Sequence, residues 1–391
     1  MLMSRDSRPK DWLSGLPELL FAVASFVLLV IPSLPPFRRL ESVSGWIKPY
    51  YYVNYSDLGF IKRGLIGSIY AVLGVPAWID DPALIVVVSH ALISAAVAGL
   101  FWFFARRRLL NWLLSSKLAV YSFFLLSPAF FVRLGFDTGR MDLWCLAISI
   151  ATLLLVTNER ISPWLASFAS GVSIAVQMLI HDASVLFYSP LIFAALQYRG
   201  DFSSLPLRPR FFRTIPPFFF TVATGFALLA WGGYEAGQDQ LDRALVALHP
   251  GLAGGMPMEL TWTLSRTIKM VWAGLTPWSF FGGHVLTISY FFLSSALVLL
   301  ITRAPWWMYA SAFTPLIVSF LATDSLRFLG VSVVSLFLLV LVVGRESEGL
   351  TLSKPVRVGL FVLAAFFFVF GPWSCCSGDP LPLLRYVPWR I

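Results

Sequence analysis

The chain has 391 residues, 58% of them hydrophobic and 13% charged, with a net charge of +9 and a mean hydropathy of +0.78. No soluble globular domain has that composition, and an all-α polytopic transmembrane helical bundle follows, since lipid leaves little else to satisfy the backbone. The cations fall mostly in short loops between apolar runs, where they read as orientation signals and contacts to membrane lipids, with no nucleic-acid surface.

Arg5, Arg8 and Lys10 precede the first apolar run as in a cleavable signal, but the run at 16–33 is long enough to span and no clear small-residue cleavage site follows. It is read as the first span. Residues 35–81 form a first outer loop rich in aromatic and turn residues, among them Trp46, Pro49, Tyr50, Tyr51, Tyr52 and Tyr55. Within it, 65–73 is apolar but shorter than the roughly 17 residues a span requires. It is expected to be an interfacial or re-entrant helix. Further spans are expected at 84–105, 118–132, 141–156, 164–180, 184–198 and 216–231. A polar stretch at 232–283 makes a second long outer loop, and the last spans fall at 285–302, 307–322, 328–343 and 356–371. The sum is about eleven spans in a single integral membrane domain covering 1–391.

With the N-terminus cytoplasmic and 65–73 not crossing, the inner loops collect Arg106-Arg107-Arg108 with Lys117, then Arg160, Arg199, Arg213, Lys354 and Arg357. That satisfies the positive-inside rule; a crossing at 65–73 would put the arginine triplet outside. The same threading sends four mixed clusters to the outer face: Ser56-Asp57 with Lys62-Arg63, Asp137 with Arg140 and Asp142, His181-Asp182, and Asp324 with Arg327. In so apolar a chain, acids and bases gathered at one membrane face mark a place where charged chemistry or cargo is handled.

Asp57 lies just beyond the first span, with Lys62 and Arg63 within six residues and glycines that permit tight turns. It can act as a general base while Lys62 or Arg63 holds a phosphate; the plainer reading is a helix cap with Arg63 reaching to headgroups. Asp137, Arg140 and Asp142 join two spans by a short turn, so one acid can hold Arg140 while another faces a substrate, or the set is a cap plus a local ion pair. His181 and Asp182 end one span and open another. Adjacent side chains on a helix do not face each other, so a dyad between them is not expected; each can point into a shared cavity. Asp324 and Arg327, three residues apart, offer a phosphate clamp or a helix-start salt bridge. Asp239, Asp242, Arg243 and His249 are candidates for a lid, or a solvated loop. His90 and Gln177 are read as hydrogen-bonding groups inside the bundle.

Cys145, Cys375 and Cys376 give neither a disulfide framework nor zinc spacing. No P-loop, nucleophile-elbow or zinc-protease motif is present. Asp57, Asp137, Asp142 and Asp324 are available to a divalent metal, but they lie among arginines, and no metal or other cofactor is assigned.

The acid Asp57 just after the first span, followed by the apolar helix at 65–73, resembles the GT-C superfamily of integral membrane glycosyltransferases. That resemblance implies a polyprenyl-phosphate-linked sugar donor, a glycan or glycolipid acceptor, and Asp57 as the catalytic acid residue of the first outer loop. The chain is also similar to polytopic proteins of bacterial surface-polysaccharide assembly, including polymerases that join polyprenyl-pyrophosphate-linked repeat units with outward-facing arginines, a role suited to Arg63, Arg140 and Arg327. Both resemblances imply a bacterial inner membrane. A lipid or glycolipid transporter is the rival class; transporters concentrate polar groups near the bilayer midplane, whereas here they gather at one face.

Overall fold

The structure is a computed structural model that describes residues 15–391 apart from 110–111, 128–129, 131–133, 136–137, 200–206, 256–259, 262–268, 270–284, 303, 319–324, 345–350 and 371–391. Asp137, Asp324, Cys375 and Cys376, and the basic residues at 5, 8 and 10, lie outside the described residues. All secondary structure among the described residues is helical. Pro82–Arg108, Pro163–Ile180 and Phe212–Trp231 are long and apolar enough to cross a membrane, and Leu16–Val30, Leu114–Leu125, Asp142–Val156, Ile288–Ile301 and Arg327–Val343 are shorter apolar helices.

Local signals set the ends of the long helices. The Asp81 carboxylate accepts the Ala83 N–H, Pro82 supplies a pre-set φ at the first position, and Arg106, Arg107 and Arg108 complement the dipole at the other end. Packing decides which helix is central. Ser325–Val343 buries every residue from Val331 to Val343, as a helix apolar all round must. Its Phe337 receives Phe21, Phe101, Phe124 and Phe130 at ring separations of 4.9–5.8 Å, in tilted or edge-on pairs. Phe212–Trp231 is the opposite case: only 6% of its apolar window is buried, so its surface is left for lipid.

Four expected spans differ from what folds; the one expected at 307–322 is broken into Trp306–Phe313 and Pro315–Val318, Pro315 opening the second piece. The one expected at 118–132 is a helix over Leu114–Leu125; the proline at 128 disfavours helical geometry just before it. The one expected at 184–198 breaks into Ser184–Phe187 and Ser189–Tyr198, because Pro190 opens a new helix at its N-terminal end. The one expected to begin at 216 instead runs Leu207–Trp231 through Pro216 and Pro217. Pro217 cannot donate to the Arg213 carbonyl one turn back. The Ser167 hydroxyl, from the packed helix Pro163–Ile180, donates to that carbonyl instead, which is how a prolyl helix survives without water.

Between the first and second long helices, Leu65–Val72 has eight residues, about 12 Å at 1.5 Å per residue, too short to cross. It leaves Ile69, Val72 and Leu73 exposed, as is Trp78 in the turn of helix beyond it. Its other side lies so close to the preceding loop that a Cβ at Gly67 would overlap the Val53 carbonyl. Gly67→Ala is therefore expected to destabilise by about 1–3 kcal/mol, read as a lower unfolding midpoint in detergent; an unchanged midpoint would mean that the loop yields at no cost.

The two ends of the bundle carry different chemistry. At the Arg108 end, cations close off helix carbonyls: Arg108 donates to Leu341 and Val342, and Arg199 to Val156 and Ile161. Lys117, read from the sequence as a loop signpost, is instead inside a helix, its Nζ 2.8 Å from the buried Glu18 carboxylate.

Candidate functional site

At the opposite end, the chain Asn54 to Gly64 turns sharply. Arg63 has φ +63°, the one positive φ of a non-glycine residue among those described. That geometry costs a residue with a Cβ roughly 1–2 kcal/mol, and what holds it is visible. Arg63 Nε lies 3.0 Å from Asp182 Oδ1, its Nη1 donates to the Tyr50 hydroxyl at 2.8 Å, and the guanidinium sits over the Tyr50 ring at 5.3 Å. Strain kept in place by specific partners is typical of sites that do something.

The contacts continue from Asp182 across the bundle. His181 Nδ1 is 3.7 Å from Asp182 Oδ1, and its Nε2 is 3.7 Å from Asp142 Oδ1. Asp142 Oδ2 is in turn 3.0 Å from Arg327 Nε. Five residues from four separate parts of the chain thus alternate as guanidinium, carboxylate, imidazole, carboxylate and guanidinium. Asp142 is 1% exposed at its side chain, so its charge stands in a dry place where pairing is obligatory. In both Arg–Asp pairs a carboxylate oxygen lies 3.0 Å from the guanidinium Nε.

His181 and Asp182 approach to 3.7 Å although they are adjacent in sequence. His181 is extended, at φ −151° and ψ 110°, just past the end of its helix, so the helical spacing that separates adjacent side chains no longer applies. Burial, reinforced by Arg63, pushes the His181 imidazole down to about 3 from an ordinary 6.5, against the pull of Asp142 and Asp182. Partial burial would raise the Asp182 carboxyl, but Arg63, with His181 and Lys62 near it, holds it below the usual carboxylate range. Unfolding restores the ordinary imidazole, so its neutral form favours the fold fully above about pH 6.5, and that contribution is lost as pH falls toward 3. His181→Gln is expected to flatten the fall in unfolding midpoint below pH 6.5; an unaltered acid profile would show that this ring titrates normally.

The turn carrying Arg140 and Asp142 is pinned from three sides. Gly139 has φ +91°, and a Cβ there would overlap Val86. Its carbonyl accepts from the Tyr51 hydroxyl at 2.9 Å and its N–H donates to His90 Nδ1 at 3.1 Å. His90 Nε2, 3.2 Å from the Leu29 carbonyl, must then carry the proton, so this buried ring joins its own helix to the first helix and to the Gly139 turn. Arg140 lies over the Trp46 ring at 5.2 Å. Gln177 likewise accepts from Ser149 inside the bundle.

Asp57 stands apart from these contacts. It is exposed, its backbone N–H capped by Asn54 and its Oδ2 accepting from Asn54 Nδ2 at 2.8 Å. Lys62 joins the second outer stretch through its backbone N–H to Gly232. In that stretch Arg243 bonds the Asp239 carbonyl of its own helix, while His249 packs on Tyr52 and lies 3.3 Å from Asp80.

Sequence reasoning missed the aromatic partners. From the sequence, Trp46 and Tyr50 are legible only as aromatic residues of the first outer loop, and Tyr188 as part of an apolar span. Tyr188 is fully buried in the break before Pro190, within electrostatic reach of Asp142, Cys145 and Arg327, and its hydroxyl has no hydrogen-bond partner among the described residues. The Thr138 hydroxyl beside Gly139 is likewise buried without one. Unsatisfied buried hydroxyls are costly. Comparison with protein families, curated proteins and solved structures finds no match for this chain.

Proposed function

We propose that the protein is an integral membrane glycosyltransferase that takes a sugar from a polyprenyl-phosphate-linked donor at the extracytoplasmic face during surface glycan assembly. One observation supports this above all: Arg63, Asp182, His181, Asp142 and Arg327, far apart in sequence, are drawn into one chain of contacts at one end of an apolar bundle. A prenyl phosphate has an anionic head and a long apolar tail, and the bundle offers guanidiniums beside greasy helix surfaces. In this reading Arg63 and Arg327, with Lys62 and Arg140 flanking, hold the donor phosphate. The bond from the anomeric carbon to phosphate oxygen breaks, the leaving phosphate keeps the electron pair, and the arginines stabilise its charge. The acceptor oxygen bonds the same carbon and gives its proton to the exposed Asp57 carboxylate.

About eleven spans, a cytoplasmic N-terminus and a bacterial inner membrane complete the proposal; sidedness then follows from the cations at the Arg108 end. Three arginines around the site make polyprenyl-pyrophosphate donors, and so repeat-unit polymerisation, the second reading. The test offers purified protein a panel of polyprenyl-phosphate and polyprenyl-pyrophosphate sugars, with Asp57→Asn alongside. Sugar transfer that the substitution abolishes is expected. Labelled glycolipid that crosses a proteoliposome bilayer without turnover would overturn the reading in favour of a transporter, and transfer undiminished by the substitution would remove Asp57 as base.

A further inference from the structure

A second group of charges lies in the same inter-helix segment as Arg63 and takes no part in the ion-pair chain. The first apolar helix continues through the turn Ile31–Ser33 into Leu34–Arg38, leaving Leu34 and Phe37 each 40% exposed. Two arginines follow at once. Arg38, Arg39 and Lys48 line an open cavity of about 550 Å³, together with Glu41 and Asp81. Ser42 donates to the Arg39 carbonyl across a tight turn, and the Asp81 carboxylate caps the Pro82–Arg108 helix. Although acids and bases share this cavity, none of Arg38, Arg39, Lys48 and Glu41 forms an ion pair within the described residues. Three cations therefore outnumber the two carboxylates, Glu41 and Asp81, in this cavity, and the exposed Leu34 and Phe37 come just before the arginines in sequence.

We propose that this cavity binds the phosphate group of an anionic membrane lipid, with Arg38, Arg39 and Lys48 as ligands and Leu34 and Phe37 against its acyl chains. Guanidinium pairs favour phosphate through two-point bonding, and cations close to apolar surface at a span end are what a headgroup meets. The site is separate from the ion-pair chain and stands without the transferase reading, because its test is binding and not turnover. Lys62 and Arg63 belong to the other site.

The experiment uses the full chain in an uncharged detergent, titrated with dihexanoyl phosphatidylglycerol, dihexanoyl phosphatidylcholine and inorganic phosphate, with heat of binding as the readout. The phosphatidylglycerol is expected to bind, the zwitterionic analogue to bind at least tenfold more weakly, and affinity to fall with added salt. Each of R38Q, R39Q and K48Q should weaken binding by about fivefold. E41Q should tighten it, an opposite sign that misfolding cannot imitate. Inorganic phosphate that competes with the same dependence on these residues would assign the phosphate chemistry to a soluble ligand and overturn the lipid. Equal binding by wild type and all four variants, or equal affinity for the zwitterionic analogue, would overturn the site.

Discussion

Lys117→Met is expected to lower stability by about 3–5 kcal/mol. Glu18 is 0% exposed at its side chain and Lys117 4%, with 2.8 Å between them. Around them Phe21 packs on Tyr121 at 4.5 Å, and both rings lie against Phe337. No water replaces the lost ammonium there, so the carboxylate is left as an uncompensated charge. Glu18→Gln combined with Lys117→Met removes both charges and should recover most of the loss, since a buried pair contributes little net stability over neutral groups of similar shape. Unfolding midpoints in detergent for the two singles and the double give the answer; a double variant no better than Lys117→Met would show that the pair acts through shape alone.

Arg327→Gln is expected to reduce sugar transfer by about 10²–10³-fold, the scale of losing one preorganised group that stabilises developing charge. It also strands Asp142 in its buried position, so a drop in stability accompanies the loss. The two effects separate in the double variant Arg327→Gln with Asp142→Asn. Neutralising Asp142 removes the stranded charge and should restore the unfolding midpoint, while transfer stays low because the phosphate has lost its partner. If transfer returns with stability, Arg327 is structural only.

What the sequence made legible follows from composition and local chemistry. Apolar runs without competing signals fold as helices, the run at 65–73 is short enough for its length alone to forbid a crossing, and the buried His90 bonds backbone on both sides. What was hidden is long-range. Arg63 and Asp182 are 119 residues apart, and nothing in either local sequence announces the other. The sequence shows Arg140 and Asp142 as one cluster and Arg327 as another; that the bundle also brings Asp142 to Arg327 and lays Arg140 over Trp46 is not visible in either. His181 and Asp182 look separated only while the helix is assumed to continue. Pro216 reads as a helix start until Ser167, 49 positions earlier in number, is found bonding the carbonyl one turn before Pro217. Lys117 illustrates the limit of charge counting: composition assigns it to a loop, and packing gives it a buried partner.

In the proposed function, the chain of contacts from Arg63 to Arg327 grips a lipid-borne phosphate while its sugar departs. Release of free polyprenyl phosphate from a polyprenyl-phosphate sugar, measured with purified protein in nanodiscs, tests it most directly when wild type is compared with Arg63→Gln/Arg327→Gln. Wild type should release it in the presence of acceptor, and the folded double variant should release essentially none. A double variant that turns over the donor as fast as wild type would mean that neither arginine holds the leaving phosphate.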